Sequence, residues 1–231
     1  MYNSFLKFFI FTTYTCHWVV IFCNKVQNIL QKGINVLYNI IKGGIIMKEN
    51  EVRQFADKLR EQKPNFSMKN IVNDVEKCIE SIGIKVFYSD MSAFDYPDSV
   101  SGYTRVNDMN KPEIVVNSNH VEGRRRFTMA HELGHILIHW DWPKKKLNKN
   151  EVSILYRNEN SEMSYNLVEQ EANEFAAQLL LPLNVINEAL PKPIDDFNDL
   201  EYRSLVANVS KSFNVTKPFA RRQLDKLRAT S

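Results

Sequence analysis

The sequence predicts an α+β fold in which a small mixed sheet precedes a pair of long helices. Three observations support this prediction. Apolar residues recur at helical spacing along much of the chain, residues 84–88 alternate as in a strand, and two further short runs flank a turn at 107–112. The length of 231 residues, 44% of them hydrophobic and 25% charged, is typical of a globular protein. We therefore expect one main domain and a small appendage.

Charge and cysteine content differ between the start of the chain and the rest. The net charge is +3, so bulk charge gives no reason to expect nucleic-acid binding. Residues 1–46 contain four lysines, no acidic residue and two of the three cysteines. Only Cys78 remains in residues 47–231, which rules out a disulfide within that part and favours a reducing compartment, the cytoplasm.

The first segment, residues 1–46, allows two interpretations. Residues 5–23 are apolar, aromatic and about long enough to cross a bilayer, as in a membrane anchor. However, polar residues dilute this run, and no small-residue cleavage site follows it. At Met47 the composition changes abruptly to a charged amphipathic segment, and residues 42–46 can be encoded by a ribosome-binding sequence. We therefore favour an apolar leader ahead of a start at Met47 over a membrane-anchored protein.

Two amphipathic helices open the main domain, which we place at residues 47–190. Apolar residues fall at helical spacing from 52 to 59 and again from 71 to 82, and Pro64 separates the two runs. Gly83 is expected to end the second helix, because glycine readily adopts the backbone conformation of a helix C-terminus.

Three short strands are predicted next. Residues 84–88 alternate between apolar and polar, while residues 102–106 and 113–117 form a hairpin across the turn at 107–112. The sequence therefore predicts a small mixed sheet immediately before the most informative helix.

That helix is predicted to begin near Asn119 and to end near Trp140. Asn119 and Glu122 have the spacing of a capping box, and Pro143 follows the helix end. The polar residues 141–163 show little periodicity, which predicts a long surface loop.

The rest of the chain is predicted to be helical. A strong helix covers about residues 165–180, and Pro182 begins another element. In the C-terminal region, residues 191–231, two helical stripes flank a turn at 214–216, which is the outline of a helix-turn-helix. We favour a helix pair that packs on the main domain, because no recognition-helix polarity is evident.

The clearest chemical signal is the HExxH sequence from His131 to His135. Residues i and i+4 share one helix face, with Cβ atoms about 5–6 Å apart, so two imidazoles can bind one zinc ion. Glu132 then lies beside the metal, where it can deprotonate a water without binding the metal. Phe127 and Leu137 make this helix amphipathic and core-packed, so its histidines need partners. We interpret the motif as a metal site rather than as a surface helix with two histidines.

A zinc hydrolase needs a third protein ligand, and the next helix offers one. Glu169 and Asn173 lie one turn apart on a face that also carries Ala172 and Ala176, whose small side chains allow close approach. A carboxylate and an amide so placed suit a metal ligand and a residue that orients a ligand histidine. Glu171 should face elsewhere. From spacing alone, glutamates that are merely solvated remain an equal alternative.

His139 lies one turn beyond His135 on the same helix. At 100° per residue, this position points away from a tetrahedral centre formed with the first two histidines. We therefore assign His139 to supporting a metal ligand or to packing, and not to binding the metal.

Two blocks of the sequence resemble a known family. RRRFTMAHELGHILIH at 124–139 and EQEANEFAAQLLLP at 169–182 are similar to the two helices typical of the ImmA/IrrE family of zinc metallo-endopeptidases. The resemblance covers about residues 50–225 in layout and is strong over the two blocks. It implies a zincin-like core in which the sheet packs on the HExxH helix, followed by a helix-turn-helix-like appendage.

The resemblance also implies roles for individual residues. Zinc would be bound by His131, His135 and Glu169, with Glu132 as the general base. The protein would then be a cytoplasmic endopeptidase that cleaves a helix-turn-helix repressor or antitoxin of a phage or mobile element and so derepresses its genes. The alternative is a regulatory module that binds a repressor or DNA without cleaving it.

Overall fold

The computed structural model describes residues 47–147 and 162–229. The α-helices, in chain order, are α1 (Glu49–Gln62), α2 (Met68–Asn73), α3 (Val75–Glu80), α4 (Glu122–Gly134), α5 (Glu162–Leu180), α6 (Leu183–Ala189), α7 (Asp199–Ser212) and α8 (Lys217–Ala229). The strands are β1 (Lys85–Ser89), β2 (Gly102–Val106) and β3 (Pro112–Asn117). A π-helical segment, His135–His139, continues α4. The predicted α+β class is therefore confirmed.

The described residues from Met47 onward belong to one compact unit, and the predicted boundary near residue 190 stays a prediction. Within the described ranges, no helix is both long and apolar enough to cross a bilayer. The proposed anchor at 5–23 lies outside those ranges, and so does most of the predicted loop at 141–163.

The three strands form the predicted mixed sheet in the order β1-β3-β2. β1 runs parallel to β3, with Val86 opposite Ile114, and β2 runs antiparallel to β3, with Tyr103 opposite Val115. β3 is central and is buried along its whole length, which explains its nearly continuous apolar sequence. Helix α4 packs on β2 and β3, so the sheet supports the helix that carries the HExxH sequence.

The helix predicted over residues 71–82 is two short helices, α2 and α3. Asp74 separates them with an extended backbone, and its side chain accepts a hydrogen bond from the backbone N–H of Lys77 at 3.0 Å. An aspartate in this position caps the new helix more effectively than it continues the old one. Helix α3 ends three residues before Gly83, which was predicted to end it; Gly83, with a φ of +92°, lies in the turn that follows the helix.

The predicted capping box at Asn119 is wrong. Helix α4 begins at Glu122, and Val121 precedes it without a side-chain cap. The backbone N–H of Asn119 instead donates to Oδ1 of Asn117 within a turn, and Glu122 Oε1 accepts from Nδ2 of Asn214. A local turn and a distant amide therefore use the groups that would have formed the capping box.

The C-terminal helix pair packs on the main domain, as we favoured from the sequence. Phe219 of α8 contacts Phe127 of α4 with ring centroids 5.1 Å apart. The hydroxyl of Tyr202 in α7 donates to Oδ1 of Asp225 in α8 at 2.5 Å. The hydrogen bond joins the two helices to each other, and the ring contact attaches the pair to the helix that carries the HExxH sequence.

A buried carboxylate ties α5 to the two ends of the described chain. Glu174 is 8% exposed, accepts from Nε of Arg53 in α1 at 2.5 Å, and pairs with Lys226 in α8. Burial alone would raise the pKa of Glu174, but the hydrogen bonds from Lys226 and Arg53 hold this pKa below its ordinary value of 4.5.

Replacing this carboxylate should destabilise the fold in a pH-dependent way. We expect Glu174→Gln to lower the free energy of unfolding by about 2 kcal/mol near pH 7, because two cations lose their buried partner. The partial exposure of Lys226 keeps this loss below that of a fully buried ion pair. Since the pKa is lower in the folded state, the contribution of Glu174 is complete above the unfolded pKa and disappears as pH falls through the folded pKa. Urea unfolding at a series of pH values, from about pH 7 into the acid range, measures the difference.

Glu49→Gln is the matched control for this prediction. Glu49 also pairs with Arg53, but its side chain is 58% exposed, so its loss should change stability by about 0.5 kcal/mol or less. Equal effects of the two substitutions, or an effect of Glu174→Gln that is the same at every pH tested, would contradict the assignment.

Candidate metal centre

The site is built where α4 and α5 pack against each other. His131, Glu132 and His135 lie at the end of α4 and the start of the π-helical segment, and Glu169 lies on α5. The helices approach closely at Gly134, where an added Cβ would lie 3.3 Å from Cα of Ala172 and 3.0 Å from Cδ1 of Phe175. The small residue predicted on α5, Ala172, is thus at the point of contact.

Gly134→Val should disrupt this contact. The added methyl groups meet buried backbone and the fully buried ring of Phe175, so we expect unfolding to become easier by about 3 kcal/mol. Gly134→Ala should cost less, because alanine's helix propensity, worth about 1 kcal/mol, offsets its tighter contact. Thermal unfolding of the two variants provides the measurement, and a valine variant as stable as wild type would contradict the packing argument.

Three side chains converge on one point. Nε2 of His131 and Nε2 of His135 are 3.0 Å apart, and each lies 3.2 Å from an oxygen of the Glu169 carboxylate. One ligand atom from each residue lies within 4.8 Å of the others, so the group could hold a metal ion. The structure therefore brings together the three residues that the resemblance implied as ligands.

In each of the two histidines, the other ring nitrogen, Nδ1, also has a hydrogen-bond partner. Nδ1 of His131 lies 3.0 Å from Oδ1 of Asn173, and Nδ1 of His135 lies 3.0 Å from Nδ1 of His139. An amide oxygen only accepts, so His131 donates through Nδ1, and its neutral form keeps a lone pair on Nε2. Two imidazole nitrogens and a carboxylate oxygen are a donor set that fits zinc.

Glu132 is buried beside this cluster. It is 6% exposed, and its Oε2 has no hydrogen-bond partner among the residues that the structure describes. Burial raises the pKa of Glu132 to about 7, the nearby Glu169 carboxylate adds to this rise, and His131 opposes it. A buried acceptor left free next to a candidate metal-binding cluster suits a group that exchanges a proton with water.

The ionisation of the cluster suits a cation. Burial would raise the pKa of Glu169, but hydrogen bonds with His131 and His135 hold it far below its ordinary value. Burial lowers the pKa of His135 to about 4, against the opposing effect of Glu169. For His131, the hydrogen bond with Glu169 and the charges of Glu132 and Glu169 outweigh burial and raise the pKa. At neutral pH, Glu169 is therefore a carboxylate and His135 a neutral imidazole.

Glu171 was not expected in this region. It is 5% exposed, so the alternative of a solvated charge is wrong for Glu171, and its Oε2 lies 2.9 Å from Nε2 of His139. His139 is the last residue of the π-helical segment, in which the backbone N–H of Trp140 donates to the carbonyl of His135 at 3.0 Å. No periodicity in the sequence indicates a π-helical turn, so only the structure reveals the link.

An HExxH helix on a mixed sheet, completed by a carboxylate from the next long helix, is the arrangement of a zincin-like, metallopeptidase-like domain. The family model Peptidase_M78, described as the IrrE N-terminal-like domain, matches residues 79–225, more than half of the chain. The chain belongs to this family, and the resemblance to ImmA/IrrE proteins is confirmed.

Two further proteins are similar to this chain. The uncharacterized immunity region protein 2 of Bacillus phage phi105 is 34% identical over 89 residues, which cover 38% of this chain and 49% of that protein. The aligned segment thus spans about half of the relative's length. A Mycobacterium tuberculosis transcriptional regulator of known structure is 15% identical, with a TM-score of 0.47 and coverage of 81% of this chain and 49% of that one.

Proposed function

We propose that the protein is a zinc-dependent endopeptidase. One observation carries the proposal: two histidine nitrogens and the Glu169 carboxylate converge within 3.2 Å of one another. Beside them lies the buried Oε2 of Glu132, which has no hydrogen-bond partner in the described part of the chain. In the proposed site His131, His135 and Glu169 bind zinc, and three protein ligands leave a fourth position for water or substrate.

Each residue of the site has a proposed task. When bound, zinc acidifies a water and polarises the scissile carbonyl. Glu132 takes the proton of the attacking water and later delivers it to the leaving amine. The side-chain oxygen of Asn173 accepts a hydrogen bond from Nδ1–H of His131. This bond fixes the imidazole ring so that its Nε2 faces Glu169.

We propose that the substrate is a helix-turn-helix repressor or antitoxin of a phage or mobile element. Two findings support this substrate class: membership of the Peptidase_M78 family and similarity to a protein whose name places it in a phage immunity region. Cleavage of such a repressor would switch on the genes that it silences. The protein would then act in the cytoplasm, where the repressor binds DNA.

The test pairs the purified protein with a helix-turn-helix protein, for which we propose to search among the genes beside its own. We expect one zinc per chain and cleavage of the repressor at one or a few sites, which mass spectrometry of the fragments would locate. A zinc chelator should stop cleavage, and added zinc should restore it. Binding of the repressor without cleavage, with zinc present, would support the regulatory module instead.

A further inference from the structure

A chain of hydrogen bonds leads from His135 to the start of the described chain. Nδ1 of His135 lies 3.0 Å from Nδ1 of His139, and Nε2 of His139 lies 2.9 Å from Oε2 of Glu171. The other oxygen of this carboxylate, Oε1, accepts a hydrogen bond from the backbone N–H of Met47. The side chains of His139 and Glu171 are 11% and 6% exposed, so this chain is shielded from water.

The hydrogen bonds have one consistent direction when both imidazoles are neutral. The carboxylate of Glu171 can only accept, so Nε2 of His139 carries a proton. Nδ1 of His139 is then the acceptor and receives the proton of Nδ1 of His135. This arrangement leaves a lone pair on Nε2 of His135, the atom that faces His131 and Glu169.

We propose that Glu171 is a positioning residue that acts through His139 to set the tautomer and orientation of His135. The backbone N–H of Met47 fixes the carboxylate in turn, so the start of α1 is coupled to the site. The proposal rests on the metal binding proposed above, since a fixed Nε2 lone pair matters most for binding a cation. Residues that support a metal ligand in this way typically change metal affinity by about 10–100-fold when replaced.

His131 and His135 are oriented by different sets of hydrogen bonds. Asn173 holds His131 with a single amide oxygen, whereas His135 depends on a relay of one imidazole, one carboxylate and one backbone amide. A buried carboxylate needs hydrogen-bond donors, because without them it would destabilise the fold, and Glu171 has two. Both of these donors, His139 and Met47, lie outside α5, so Glu171 also joins three parts of the chain.

Glu171→Gln tests the relay because glutamine has nearly the shape of glutamate but replaces one accepting oxygen by an NH₂ group, which donates. The N–H of Met47 still needs an acceptor, so the oxygen of the new amide turns toward Met47 and its NH₂ turns toward Nε2 of His139. His139 must then carry its proton on Nδ1, where it faces the Nδ1 proton of His135. His135 can relieve this conflict only by moving its own proton to Nε2 or by turning away.

Two measurements detect this change in the histidine tautomers, and neither depends on enzymatic activity. In metal-free protein with ¹⁵N-labelled histidine, we expect wild type to show His139 protonated at Nε2 and His135 protonated at Nδ1, and Glu171→Gln to reverse at least the His139 tautomer. In competition with a coloured chelator, zinc should bind Glu171→Gln about 10–100-fold more weakly than wild type. His139→Phe should weaken zinc binding similarly, whereas His139→Gln, whose amide can both accept and donate, should largely restore it.

Glu174→Gln is the matched control, because it neutralises another buried carboxylate on α5 that contacts Arg53 and Lys226 instead of a histidine. It should leave zinc affinity and both tautomers unchanged. The relay is overturned if wild-type His139 is protonated at Nδ1 or at both nitrogens, or if Glu171→Gln and His139→Phe bind zinc as tightly as wild type. A wild-type protein that binds no zinc would instead contradict the proposed function, and the tautomers would still test the relay.

Discussion

Glu132→Gln is expected to abolish peptide cleavage while the protein keeps its zinc and its fold. The amide has the shape of the carboxylate but cannot take a proton from water, and loss of a general base slows a reaction by about 10²–10⁴-fold. Glu132 is outside the proposed ligand set, so one zinc per chain should remain. The measurements are kcat/KM for cleavage of the partner repressor and metal content by mass spectrometry.

Glu122→Gln provides the control on the same helix. Glu122 is exposed in the first turn of α4 and contacts Asn214, so its replacement should leave cleavage unchanged. A normal cleavage rate for Glu132→Gln at full zinc occupancy would exclude Glu132 as the base. Full zinc occupancy with repressor binding but no cleavage in wild type would favour the non-cleaving module.

Periodicity and turn residues predicted most of the fold correctly. The strands at 84–88, 102–106 and 113–117 form a mixed sheet within one residue of those bounds, because alternation and a turn define strands locally. The errors occurred at helix boundaries, where several side chains compete for the same backbone groups. Asp74 caps α3 and divides a predicted helix, and Asn119 takes part in a turn instead of a cap.

Residue spacing predicted the neighbours within the site only where the helix is a regular α-helix. Spacing of i and i+4 brought His131 and His135 together, and the resemblance selected Glu169 where spacing left it equal to a solvated charge. The structure places Glu169 and Asn173 against His131, but it also buries Glu171, which an ideal helix turns away. The π-helical segment changes the path of the chain after Gly134, and such a local widening of the helix leaves no periodic signal.

His135→Ala is expected to remove zinc and, with it, a large share of the stability of the loaded protein. A ligand that binds only the folded state stabilises it by about 4 kcal/mol when its concentration is about 1,000 times Kd. His135 supplies the nitrogen that lies 3.0 Å from Nε2 of His131 and 3.2 Å from Glu169, so its loss leaves two ligands. Thermal unfolding with and without added zinc should show a stabilising shift in wild type and none in the variant.

Matched variants identify the third ligand by the same measurement. His120→Ala removes a histidine that contacts the backbone oxygen of Asp98, and it should keep the full zinc-dependent shift. Glu169→Ala should lose the shift at every zinc concentration, because a ligand is gone, whereas Glu171→Ala should recover it at higher zinc, because only the support of His135 is weakened. If Glu169→Ala instead retains full occupancy and Glu171→Ala loses it, then Glu171 is the metal ligand and the assignment of Glu169 is wrong.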